Sequence, residues 1–270
     1  MLNRVLTAAV LAPLFVLAVL KLPGGWFTIL IGFIVLAGAW EWVTLSGYEG
    51  TAAKTGAVAG TGVLMAAVYF FRDSLAEPLF MLACLAWVAV AAGLYRHRHH
   101  DLIRWPRPLR LLSGAGVLVP AWLAISMLQR LEPAAALMLF LLIWAADTGA
   151  YFAGRRWGRR KLAPAISPGK TVEGVLGAAA AAVLVAAGFA LYRDAGAAAW
   201  AGLVAWSLVV VLVSVGGDLF ESNWKRLAAV KDSGGLLPGH GGVLDRIDSM
   251  TAAAPFFVLG WVWWFAPTPT

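Results

Sequence analysis

The sequence predicts an all-α, polytopic integral membrane protein of about nine transmembrane helices, with its N-terminus in the cytoplasm. Three observations carry this. The chain is 61% hydrophobic and only 13% charged, about half the charge of a typical soluble domain. Its apolar residues fall in continuous runs rather than alternating, which in lipid leaves helices as the way to satisfy the backbone. Its lysines and arginines gather on one side of the implied topology.

The runs are Val5–Leu20, Trp26–Leu45, Gly56–Phe71, Leu79–Leu94, Leu112–Leu128, Ala134–Ala153, Val172–Tyr192, Ala198–Phe220 and Met250–Phe265. The first follows Arg4 as a signal peptide would. It leads into KLPGGW without a small-residue cleavage site, so it is expected to stay as the first helix. Residues 1–130 supply about five helices, and residues 131–270 supply the rest together with the most polar loops. The one cysteine, Cys84, lies within an apolar run, which excludes a disulfide framework and a cysteine metal site.

With nine spans, the N-terminus and the even-numbered loops share one side. That side holds Arg4, Lys54, five arginines from Arg96 to Arg110, six cations from Arg155 to Lys170, and Lys225, Arg226, Lys231 and Arg246, 17 of the 21 basic residues. Lys21, Arg72, Arg130 and Arg193 take the other side. The positive-inside rule makes the first side cytoplasmic. The net charge of +7 is thereby accounted for by topology, and no nucleic-acid partner is expected.

Three cytoplasmic loops hold most of the polarity. The first, RHRHHDLIRWPRPLR, follows the fourth span and suits a topology determinant or contact with anionic headgroups. The second follows the sixth span. Asp147 stands near the end of that apolar helix, where an ionised carboxylate is costly and marks a functional site, with Tyr151 one turn on along the same face. Ser167, Pro168, Gly169, Lys170 and Thr171 are predicted to form a turn into the seventh helix, with Glu173 in its first turn. That arrangement suits phosphate binding at a helix N-terminus, or simple capping by Ser167 or Thr171.

The third loop is the most charged part of the chain. Asp218, Glu221, Ser222 and Lys225 have offsets of three, four and seven and share one helical face. SGGLLPGHGG then makes a glycine-rich loop whose amides can approach an anion closely. LDRID places Asp245 and Asp248 one turn apart with Arg246 between them. Asp218, Asp245 and Asp248 make a candidate hard-cation site, suited to Mg²⁺ bridging to phosphates. Lys225, Arg226, Lys231 and Arg246 would neutralise those phosphates, and His240 is a candidate phosphate donor or loop-ordering group. Acids and bases at one face of a membrane point to phosphoryl or nucleotidyl transfer to a lipid.

The stretch SNWKRLAAVKDSGGLLPGHGGVLDRID, from Ser222 to Asp248, resembles the signature of the phosphatidate cytidylyltransferase (CDP-diacylglycerol synthase) family. The segments around Asp147, Ser167–Gly174 and Glu41-Trp42 are also similar to that family. Trp224 departs from it, standing where an aliphatic residue is usual. The resemblance implies an integral enzyme of the bacterial inner membrane, a homodimer, joining CTP and phosphatidic acid with release of pyrophosphate. It implies Mg²⁺ and a second, monovalent cation such as K⁺. It carries over Asp218, Asp245, Asp248 and Asp147 as the metal set. Lys225, Arg226, Lys231, Arg246 and His240 become phosphate-binding groups, and Ser167, Lys170, Thr171, Glu173, Ser222, Gly241 and Gly242 become substrate contacts.

Two other functions fit part of the pattern. A CTP-dependent lipid kinase would transfer the γ-phosphate instead. An ion-coupled transporter would use Glu41, Asp147 and Asp218, but the sequence has no internal repeat and its acids gather at one face.

Overall fold

The computed structural model describes residues 2–236 and 241–265. It consists of α1 (Leu2–Lys21), α2 (Gly24–Leu45), α3 (Thr51–Phe70), α4 (Arg72–His97), α5 (Arg107–Leu131) and α6 (Pro133–Trp157), then strands β1 (Lys161–Ala163) and β2 (Ser167–Thr171). These are followed by α7 (Val172–Tyr192), α8 (Ala197–Leu227), α9 (Leu244–Gly260) and a π-helical turn over Trp261–Phe265. The predicted apolar runs fall on α1 to α9, the third ending one residue past α3 and the ninth continuing from α9 into the π-helical turn. Among the described residues α2 to α8 are long and apolar enough to cross a membrane, while α1 offers a shorter apolar stretch, Ala12–Lys21. The chain is a multi-pass, all-α membrane protein. Proline marks the breaks: Pro23, Pro106 and Pro133 stand at the starts of α2, α5 and α6, where a missing N–H costs nothing.

One expectation is corrected here. The segment Ser167–Thr171, predicted as a turn in a chain without strands, is strand β2. It pairs antiparallel with β1 in the register Lys161↔Thr171 and Ala163↔Ser167. Between α6 and α7 the backbone leaves helical bonding, and its polar groups find partners across a short hairpin. The capping reading holds: Thr171 Oγ1 accepts from Gly174 N at 3.1 Å.

The polar loops converge at one end of the bundle. Ala165 N donates to Arg98 O at 3.1 Å, Arg226 Nε reaches Ile166 O at 3.4 Å, and the buried Asn223 amide pairs with both Ile103 N (2.8 Å) and Ile103 O (3.0 Å). Below them Phe220 is surrounded by Trp42, Trp87, Trp105 and Trp224, with ring centroids 5.1–6.1 Å away. Such pairs contribute about 0.5–1.5 kcal/mol each beyond area burial, so this cluster is a stiff floor under the polar end. Trp224, 1% exposed, is a packing residue of that floor.

Small residues set the helix spacing. A Cβ on Gly149 would lie 2.5 Å from Gly177 O, so α6 and α7 approach through these glycines. A Cβ on Gly217 would lie 2.6 Å from Asp248 O. That second contact brings α9 against α8 where both carry acids.

Candidate active site

The face predicted for α8 forms as expected. Ser222 Oγ donates to Asp218 Oδ1 at 3.2 Å, and Lys225 Nζ stands 3.4 Å from Glu221 Oε1, each pair four residues apart. Two lysines then join this face to neighbouring elements. Lys170 Nζ, on β2, lies 2.6 Å from Asp218 Oδ2, and Lys225 Nζ lies 2.7 Å from Asp245 Oδ1 on α9. Asp147 and Asp248 each feel the charges of Asp218 and Lys170. The third and second polar loops, distant in sequence, therefore make one cluster of acids around two ammonium groups.

Asp245 stands in the first turn of α9, ahead of the apolar run Met250–Phe265. Its Oδ2 accepts from Ser233 N (3.0 Å) and Gly242 N (2.9 Å), with Ser233 Oγ also 3.0 Å away. Burial would raise its pKa, but the Lys225 ammonium and these backbone donors outweigh it and hold the carboxyl below the ordinary aspartate range. The Gly242 N–H, expected to face a substrate phosphate, thus goes to the protein's own carboxylate. Gly241 takes φ +83°, the conformation that suits glycine. Glu173, expected as a substrate contact, accepts from Arg159 N (3.0 Å) and Arg160 N (3.1 Å) and fastens the entry to the hairpin.

Lys231, Arg226 and Arg246 are exposed, and Ser167 is half-buried in β2. Arg246 borders the apolar cavity described next. The reading of His240 lies outside the described residues.

Two cavities meet at this cluster. One, about 470 Å³, is lined mainly by apolar residues such as Phe15, Ile31, Leu118, Trp122 and Phe140, with Asp245 and Asp248 on its wall. The other, about 560 Å³, is lined by Tyr151, Arg155, Lys170, Thr171 and Asp218 among others. Asp147 and Ser249 line both. The site can therefore bring a greasy molecule and a polyanion to a common boundary.

For Mg²⁺, the donor chemistry fits: the candidate set is all carboxylate oxygen, and beside it stands the buried carboxyl of Glu221, whose Oε1 is 3.4 Å from Lys225 Nζ. Among the described residues, no three His, Cys, Asp or Glu side chains are gathered as a metal-holding group. Lys170 and Lys225 occupy oxygens of Asp218 and Asp245, where a cation would compete.

Sequence reasoning picked out Glu41, the one charged residue of α2, but gave it no role at this site; it missed Asn223, Arg155 and Ser249, which carry no signal that spacing reveals.

Comparison with known proteins follows the same line. A model of the cytidylyltransferase family matches residues 2–263. A phosphatidate cytidylyltransferase of Pseudomonas aeruginosa is 42% identical, over 98% of this chain and 99% of that protein. Those of Haemophilus influenzae (35%, over 94% and 96%) and Brucella suis (36%, over 95% and 92%) are also similar to it.

Proposed function

We propose, for a chain that belongs to the cytidylyltransferase family, that its reaction is the transfer of CMP from CTP to phosphatidic acid. It is a nucleotidyltransferase; the lipid acceptor, the Mg²⁺ requirement and the release of pyrophosphate are the proposal. The observation that carries it is the pair of cavities sharing Asp147 and Ser249. An apolar cavity suits acyl chains, a cavity with Lys170 and Arg155 suits a triphosphate, and their common wall is where the two phosphates would meet.

In this reading a phosphate oxygen of phosphatidic acid attacks the α-phosphorus of CTP. The new P–O bond forms as the bond to the β-phosphate oxygen breaks, and pyrophosphate leaves with that electron pair. The acceptor oxygen is already anionic, so no strong general base is needed. Lys170 and Arg155 offset the charge on the triphosphate, and Lys225 and Arg246 offset that on the lipid phosphate. Asp218, Asp245, Asp248 and Asp147 are the carboxylates that would hold Mg²⁺ once a cation displaced the lysines from Asp218 and Asp245, and the ion when bound would supply charge neutralisation at the phosphates. The distribution of cations supports a cytoplasmic site, and the bacterial relatives support a bacterial inner membrane as its location.

The test uses purified protein in detergent, phosphatidic acid, Mg²⁺ and CTP labelled separately at the α and γ positions. Label from α in lipid with γ in pyrophosphate is the expected result. Label from γ in lipid would mean a kinase, and no lipid label with either would overturn the reading.

A further inference from the structure

Glu41 is 3% exposed and is the one charged residue of α2. A buried carboxylate is tolerated only where donors meet it, and here three do. Val243 N donates to Oε1 at 3.1 Å, while Leu244 N (2.8 Å) and Ser233 Oγ (2.9 Å) meet Oε2. The two amides open α9, which has no capping side chain of its own. An acid from α2 thus caps α9 across the bundle, satisfying first-turn N–H groups and favouring the helix dipole.

The Ser233 hydroxyl touches two carboxylates, Glu41 Oε2 at 2.9 Å and Asp245 Oδ2 at 3.0 Å, and accepts from Asp245 N at 3.3 Å. Asp245 in turn holds Lys225. Glu41 is therefore one residue removed from the acid–lysine cluster. It also accounts for two glycines of the loop. A Cβ on Gly242 would lie 2.5 Å from Glu41 Oε2, and one on Gly234 would collide with Glu41 Oε1.

We propose that Glu41 is a positioning residue for the transfer reaction, fixing Asp245 and Lys225 through Ser233 and the start of α9. Its kinetic consequence rests on the transferase reading above; the clamp itself does not.

The test compares Glu41→Gln, Ser233→Ala and the double variant of the purified protein. Hydrogen exchange of the segment 241–250 is followed without substrates, and kcat and KM for CTP are measured with phosphatidic acid. In Glu41→Gln the amide nitrogen must face one of the present donors, so at least one bond to a charged acceptor is lost. Exchange should speed by about tenfold, and kcat should fall by about tenfold with KM for CTP within about twofold. Because both side chains act on Asp245 through one contact, the double variant should lose less than the product of the single losses.

Faster exchange with unchanged kcat would overturn the proposal, leaving Glu41 as an anchor of the fold alone, and so would strictly multiplicative losses. If the wild type transfers no CMP, the transferase reading fails. The exchange arm then decides the clamp by itself: slow exchange in Glu41→Gln overturns it and fast exchange supports it.

Discussion

Lys170 Nζ lies 2.6 Å from Asp218 Oδ2, so the hairpin between α6 and α7 is fastened to the acid face of α8 by one ion pair, with each side chain about a quarter to a third exposed. Both residues line the polar cavity. Lys170→Met keeps most of the side chain's volume and removes the charge. Asp218 then loses its ammonium partner, Asp147 faces Asp218 without it, and a bound triphosphate loses a counter-charge. A charge-assisted hydrogen bond contributes about 1.5–3 kcal/mol, which corresponds to a fall in kcat/KM for CTP of about 10- to 100-fold. Initial rates against CTP concentration measure it; a value equal to wild type would remove Lys170 from the site.

Asn223 ties the loop after α4 to the same helix. Its side chain is fully buried and meets both backbone groups of Ile103. In Asn223→Ala, Ile103 N–H and C=O lose their partners in a buried place, at a cost of about 1–3 kcal/mol for each group left unsatisfied. The thermal unfolding midpoint in detergent should fall by about 5 °C or more. Asn223→Asp keeps an acceptor for the N–H but offers the carbonyl no donor, so it should fall too. A midpoint unmoved in both variants would mean that the loop finds other partners.

Asp245 gives a pH-dependent effect whose sign follows from its environment. Its folded-state pKa is lowered, so the carboxylate contributes stability that is fully present above the ordinary aspartate value of about 3.9. That contribution is lost as the pH falls through the lower folded value. Asp245→Asn should be less stable than wild type near neutrality, and the gap should narrow as the pH drops through this acid range. Unfolding midpoints at several pH values check it. A gap independent of pH would mean that the carboxylate charge at Asp245 does not matter to the loop.

What could be read from the sequence divides along physical lines. The helices were legible because a hydrocarbon core demands long, continuous apolar runs, and the α8 face because helical offsets are fixed by geometry. The hairpin was hidden, since three- and five-residue strands leave no alternation to detect and proline and glycine in SPGKT suggest a turn. Glu41 was visible as a costly acid but not as a cap, because its partner Ser233 is 192 residues away. The glycines of the third loop suggested room for a substrate anion. In the structure Gly234 and Gly242 make room for the protein's own carboxylate, and spacing alone cannot tell these two anions apart.

Gly216 and Gly217 are neighbours on α8 that separate packing from helix propensity. A Cβ on Gly216 meets nothing within 4 Å, whereas one on Gly217 would lie 2.6 Å from Asp248 O and 3.1 Å from Ala252 Cβ. The first of these obstacles is backbone, so α9 must move away from α8 to admit a methyl group. That shift separates Asp248 from Asp218, two acids that now feel each other's charge, and it widens the boundary shared by the two cavities. Catalytic groups displaced by about 1 Å can lose about 100-fold in rate, so Gly217→Ala should reduce kcat by tenfold or more on the order of that scale. Gly216→Ala gains helix propensity of up to about 1 kcal/mol and should keep wild-type activity with an equal or higher unfolding midpoint. Rates and midpoints of the two variants, measured side by side, test the argument. Equal activity in both would mean that the α8–α9 spacing is not what sets the acid cluster.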